Sequence, residues 1–499
     1  HCREFQKSKS SGQDLMLNDL QKKRWLMIGG GLFVLLQTVC IALEFYYIAL
    51  LPLVLLVIAG AIFKLDWLIL FIIACTPVSL NLEQLDLGGI GFYLPTEPLL
   101  FGVLVVFVMK LLYGKSIDKR IFKHPISIVV YGFLAWMLVT TITSEMPLVS
   151  LKYFISRAWF IAGFYFILTH IFQNRKHIDR SFLLYLFPLF AVICYTVIRH
   201  AGFGFEKDAG HWVMEPFYKD HTSYGAVLAM YLPVLVGLLL KRNVNPLLKA
   251  FLIIGLVILV VGIILSYTRA AWVSIAAVIG LGILMLLRIQ LKHLVFVALA
   301  GIGFLWFAQD ELVQMLEKNK QDSSDDLAEH VESISNVSSD ASNLERLNRW
   351  NCAMAMFEER PVFGWGPGTY QFVYAPFQRS QDITIISTNN ADGGNAHSEY
   401  LGPLAEQGVL GSLAFFALLF VVSQVAFKLF FRLKDRELKI LVLSSFLGLM
   451  TYFIHAVLNN YLDTDKVSAP FWGFIAVLVA VDLFHAPEET EKQLSESGS

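Results

Sequence analysis

The sequence predicts an all-α polytopic membrane protein with about 12–14 transmembrane helices, each needing roughly 20 apolar residues to cross the hydrocarbon. Three observations carry that reading. Apolar residues come in uninterrupted blocks of spanning length, charged residues make up only 16% of the chain, and Lys and Arg crowd into every second loop. Soluble domains carry about 25% charged residues, whereas this chain is 56% hydrophobic with a mean hydropathy of +0.60. A backbone in lipid must satisfy its own hydrogen bonds, and within one segment only a helix does so.

Residues 1–24 form a polar, basic segment with Arg3, Lys7, Lys9, Lys22, Lys23 and Arg24. Apolar spans follow over 25–308, at 25–43, 45–63, 66–80, 97–113, 126–143, 151–172, 180–198, 222–240, 248–266, 270–288 and 293–308, and over 409–485, at 409–431, 438–458 and 470–485. If every span crosses, the basic clusters fall on one side: Lys115–Lys123, Arg175–Arg180, Lys241–Lys249, Arg288–Lys292 and Arg432–Lys439. Positive loops stay in the cytoplasm, so the N-terminal segment and the tail 486–499 are expected there. The loops 199–221 and 309–408 are expected outside. Within the larger loop, 321–342 is rich in Ser, Asp and Glu and reads as a flexible linker. A helix over Leu344–Glu359 is expected next, stopped by Pro361, then a turn forced by Gly364, Gly366, Pro367 and Gly368. The run Ser387–Asn395 is expected to be irregular.

A net charge of −1 points to no nucleic-acid partner. The five cysteines are scattered, with neither disulfide-framework nor zinc-site spacing.

The chemistry-bearing residues gather on the outward side. His397 stands just before the span that opens near residue 409, and histidine is the side chain suited to accept a proton near neutral pH. An interfacial histidine bonding a loop carbonyl is the plainer alternative. Arg269 occupies a tight turn on the side that should lack positive charge, either to bind an anion or to snorkel to headgroups. Arg157 lies about two turns inside its span, where a charge needs a polar cavity or an ion-pair partner. Arg346 and Arg349, three apart, share one face of the loop helix, and His221 opens another span. Guanidinium groups around one or two imidazoles suit a phosphate-bearing substrate, because Arg grips phosphate oxygens in a planar fork and keeps its charge.

The pattern His397-Ser398, nine residues, then Gly408-x-x-Gly411 resembles the motif of the O-antigen ligase and O-antigen polymerase superfamily of bacterial envelope enzymes. Arg346-Leu347 … Trp350 with Pro361-Val362-Phe363-Gly364-Trp365-Gly366 resembles the start of that family's large periplasmic loop. Ser266-Tyr267-Thr268-Arg269 resembles its Ser-x-Ser/Thr-Arg turn. The resemblance implies an inverting, metal-independent glycosyltransferase with no cofactor, in the bacterial inner membrane with its active site facing the periplasm. Its donor would be a glycan on a polyprenyl diphosphate such as undecaprenyl diphosphate, and its acceptor lipid A–core or another envelope glycan. His397 would be the general base. Arg269 and Arg346, with Arg349 and Arg157 behind them, would bind the diphosphate, and His221 would contact donor or acceptor. A polymerase of the same superfamily is the nearest alternative, and a transporter of lipid-linked sugar a more distant one.

Overall fold

Helix starts in this chain are set by residues that satisfy the first free backbone N–H groups. His124, Asn174, Asp220, Asn245 and Asp435 each accept a hydrogen bond from the first turn they open, at 3.3, 3.1, 2.7, 2.9 and 2.7 Å. Pro125, Pro147 and Pro246 stand at first helical positions, where their missing N–H costs nothing. The computed structural model describes residues 21, 24, 27–42, 60, 63–81, 93–113, 117–242, 244–296, 300, 341–380, 383, 387 and 394–486. It divides into two units, residues 1–64 and 65–499. The first unit holds the apolar helix Met27–Ala42.

The second unit contains α1 (Leu65–Cys75), α2 (Thr96–Leu112), α3 (Pro125–Ile142), α4 (Pro147–Ile171), α5 (Arg175–Ala201), α6 (His221–Leu239), α7 (Pro246–Leu265), α8 (Arg269–Leu286), α9 (Ala341–Glu359), α10 (Leu401–Arg432), α11 (Arg436–His455) and α12 (Asp465–His485). Among the described residues nine helices, α3 to α8 and α10 to α12, are long and apolar enough to cross a membrane. The chain is therefore an all-α, multi-pass membrane protein. Expected spans and observed helices agree closely from 97 to 288. The expected spans 45–63 and 293–308 lie largely outside the described residues, as does most of the linker 321–342.

At the centre runs α12, buried over nearly its whole length. It packs on α11, on α6 and on the π-helical stretch Ile161–Ile167 of α4, while α6 lies along α11 and α3 along α10. Loops meet at two ends. At one, the turn after α3 joins the 361–368 turn (Glu145 N to Trp365 O, 3.0 Å) and the α7–α8 turn joins the start of α6 (Thr268 Oγ1 to His221 O, 2.8 Å). At the other, Arg175 pairs with Glu437 at 2.9 Å, Arg432 with Asp482 at 2.7 Å, and His485 bonds Phe172 O at 2.8 Å. The basic loops predicted from the sequence belong to this second end.

The described residues of 341–380 and 394–400 form a cap at the first end with its own small core of Cys352, Ala353, Met356, Trp365, Tyr370, Tyr374 and Ala396, closed by Ala405 of α10. Here the structure departs from the expected span start at 409, since α10 begins at Leu401 and breaks at Gly408, whose φ of 68° is left-handed. The break exposes carbonyls that outside donors satisfy. Trp365 N bonds Ala405 O at 3.1 Å, Gly366 N bonds Glu406 O at 2.7 Å, and Trp136 Nε1 bonds Gln407 O at 2.8 Å. In return Val409 N bonds Pro361 O at 3.0 Å. A Cβ at Gly408 would collide with the Val362 carbonyl, so both space and φ require glycine. The Gly-rich turn and the Gly408-x-x-Gly411 motif are thus two halves of one backbone staple.

Candidate active site

His397 is presented by two local devices. Asn395 Oδ1 accepts from His397 N at 3.0 Å, and Ser398 Oγ accepts from Tyr400 N and Leu401 N, both at 3.3 Å, to launch α10. Between them His397 takes a φ of 48°, a left-handed conformation that costs a non-glycine residue on the order of 1–3 kcal/mol and that clusters at functional sites. Its ring nitrogens make no hydrogen bond among the described residues. Burial, then the nearby Arg346 and Arg349 guanidiniums, push its pKa down to about 4. The ring is therefore neutral at pH 7, with a lone pair open to a proton.

Arg346 and Arg349 project from α9. Arg346 Nε donates to Leu458 O at 3.4 Å. Arg349 is more enclosed. Its Nε meets Glu345 Oε1 at 2.6 Å, its guanidinium stacks 3.9 Å over the Tyr374 ring, and its Nη1 is buried with no hydrogen-bond partner among the described residues. Burial opposes ionisation of Glu345, but hydrogen bonds from Ser387 and Arg349 outweigh it and hold the carboxyl below the usual range. His221 lies within electrostatic range of Arg346 and stacks on His211, ring centroids 4.4 Å apart. Thr268 fixes the carbonyl of His221, and half-buried Arg269 follows Thr268 directly.

Arg157 is placed differently. Its Nη1 donates to Leu462 O at 2.5 Å and its Nη2 to Tyr153 OH at 2.6 Å, so it braces the α11–α12 turn from beneath. Glu399, two residues after His397, grips the same turn. Its N bonds Ala456 O at 2.9 Å, and its Oε1 accepts from Tyr452 OH, Tyr461 N and Leu462 N at 2.7, 2.9 and 2.8 Å. Burial raises the Glu399 carboxyl, and Arg157 opposes that rise.

The structure thus brings His397, Arg346, Arg349 and His221 into one electrostatic neighbourhood, with Arg269 at its edge and Arg157 behind the turn. Sequence reading missed Asp220, Glu399, His455, Asn459 and Tyr461. Tyr461 OH contacts Thr222, Asn459 Oδ1 at 3.2 Å and Asp220 Oδ1 at 3.4 Å, and Asn459 reaches His455 Nε2 at 3.1 Å. The signal was available, since the stretch 455–466 between two apolar spans holds His, two Asn, Tyr, two Asp and Lys. Among the described residues no three His, Cys, Asp or Glu side chains converge as metal ligands. A neutral imidazole beside fixed cations, at one end of a helical bundle, can take a proton from a hydroxyl while the cations hold an anion.

Fold and site define a multi-pass membrane protein with a histidine–arginine centre at one end of its bundle. Residues 254–416 match the O-antigen ligase family. The matched stretch includes Arg269, Arg346, Arg349, His397, Gly408 and Gly411. A curated relative, an uncharacterized protein of Haemophilus influenzae, is 22% identical over 251 residues, which cover 49% of this chain and 59% of the relative. The chain thus spans less than two thirds of that relative's length.

Proposed function

We propose that the protein transfers a glycan from a polyprenyl-diphosphate carrier to an acceptor hydroxyl at the periplasmic face of the bacterial inner membrane, as an O-antigen ligase does. The observation that carries this reading is His397 itself, a strained, neutral imidazole within range of Arg346 and Arg349. The acceptor oxygen would attack the anomeric carbon from the side opposite the diphosphate. As the new C–O bond forms and the bond to the phosphate oxygen breaks, His397 takes the hydroxyl proton and the electron pair leaves with the polyprenyl diphosphate. Arg346 and Arg269 would hold the charge growing on that leaving group, worth most in a water-poor site. Arg349, tied to Glu345, would contribute field and its open Nη1. Arg157 would act through the α11–α12 turn, and His221 would line the donor or acceptor path. Lipid A–core is the acceptor that fits a ligase, with lipopolysaccharide as product.

A polymerase of the same superfamily shares this donor chemistry and differs only in the acceptor. Deleting the gene discriminates the two. Undecaprenyl-linked polymer accumulating as long chains supports the ligase, whereas single repeats make the protein a polymerase. Unchanged lipid-linked pools and unchanged surface glycan would remove both readings.

A further inference from the structure

Two buried polar atoms on the α11–α12 turn have no partner among the described residues, His455 Nδ1 and Asn460 Oδ1. Leaving such a group unmet costs about 1–3 kcal/mol, so each calls for a ligand or water. His455 is 1% exposed and its other nitrogen, Nε2, is occupied by Asn459. That side chain is fixed in turn through Tyr461 to Asp220, the cap of α6. The ring lies within electrostatic range of Asp220, His221 and Arg346, and Arg346 rests on the carbonyl of Leu458 in the same turn. Glu399 ties the His397 segment to that turn through three backbone bonds, from Tyr461 N, Leu462 N and its own N to Ala456 O.

The wall of the site made by this turn is therefore chemically unlike the wall made by α9. The α9 wall is cationic. Besides the Asp463 carboxyl, the turn offers an imidazole, two carboxamides and a phenol, groups that exchange single hydrogen bonds with neutral hydroxyls and amides. Given the transferase reading, on which this inference rests, the reacting carbon lies between His397 and the arginine-bound phosphate. The hydroxyls of its ring must then face a third side.

We infer that the α11–α12 turn is the subsite for the first sugar of the donor, with His455 Nδ1 and Asn460 Oδ1 bonding ring hydroxyls or an N-acetyl group of a neutral hexose or N-acetylhexosamine. It selects which lipid-linked sugar is used, while the arginines bind any polyprenyl diphosphate.

The test compares two probes on the purified full-length protein in detergent: bare undecaprenyl diphosphate, and undecaprenyl diphosphate carrying one N-acetylhexosamine. Asn460→Ala removes a side chain that makes no hydrogen bond among the described residues, so the fold should persist, and His455→Gln tests the imidazole. The expected result is a loss of about fivefold to tenfold in affinity for the sugar-bearing probe, one neutral hydrogen bond's worth, with bare diphosphate bound as by the wild type. Equal weakening toward both probes would assign the turn to the diphosphate or to the fold and overturn the subsite. No change toward either probe from both variants also overturns it. A wild-type protein that binds neither probe overturns the transferase reading itself and the subsite with it.

Discussion

The two ends of the helical bundle hold their positive charges with different sets of partners. At the end with the basic loops, Arg175 meets Asp435 and Glu437, Arg432 meets Asp482, and Lys241 pairs with Asp179. These cations meet carboxylates, and the partly exposed pairs of Arg175 and Arg432 are of the kind that add at most about 1 kcal/mol each. At the His397 end Arg360 meets Glu145 and Arg349 meets Glu345, but Arg157 and Arg346 also donate to backbone carbonyls, and Arg349 Nη1 is buried with no hydrogen-bond partner among the described residues. A guanidinium that donates to a backbone carbonyl is held in place by a group that carries no net charge. The comparison teaches that residue counts on the two sides are less informative than what each guanidinium's hydrogen bonds are spent on.

The largest expected effect belongs to the base. His397→Gln should lower glycan transfer by about 10²–10⁴-fold, the usual contribution of a well-placed general base, with donor binding to the purified variant retained. Near wild-type transfer would reduce His397 to a positioning residue, and lost donor binding would move it into the phosphate site.

Next come the arginines around His397. Arg346→Ala should weaken donor binding by about 10–100-fold, the range of a charge-assisted hydrogen bond. Arg269→Lys should impair it too, since the ammonium lacks the planar fork. Arg349→Ala should cost less binding than Arg346→Ala, because Glu345 already occupies part of it. Equal losses at 346 and 349 would erase the distinction between these two arginines.

A smaller effect should appear in the pH profile. With its pKa near 4, His397 stays neutral well below pH 6.5, so the acid limb of kcat/KM in the free enzyme should lie below the ordinary imidazole range. Removing a cation makes protonation easier, so Arg346→Ala should move that limb upward. Its activity relative to wild type should be lower at pH 5 than at pH 7. A limb that stays put would mean that Arg346 does not act on His397 through charge.

The smallest effect is expected at the opposite end, where Arg175→Ala should leave transfer within about twofold of wild type and cost under about 1 kcal/mol. A large loss there would tie the second end to the reaction and blur the contrast altogether.

The spans were legible because lipid imposes long apolar blocks, and the observed helices between 97 and 288 start and stop within a few residues of those blocks. The early start of α10 was not. Glu406 and Gln407 look like loop residues, yet both are buried, with Glu406 Oε1 accepting from Tyr370 N at 3.0 Å and the Gln407 carbonyl from Trp136. Partners more than 35 residues away made that turn helical, and no local pattern records them. In the site, His397, Arg346 and Arg269 stood out because charge and histidine next to apolar spans are conspicuous. Glu399, Asn459 and Tyr461 did not, since each works through backbone groups or through another side chain.

The staple at Gly408 also bears on how such proteins can be recombined. Val362 and Pro361 lie against Gly408 and Val409, while Trp365 and Gly366 hold Ala405 and Glu406. The cap and the opening turns of α10 therefore behave as a single exchangeable cassette whose natural seams lie before 341 and after 411. A chimera that trades that whole block between relatives keeps every bond of the staple, whereas a crossover placed between 366 and 405 asks one parent's turn to fit the other parent's broken helix.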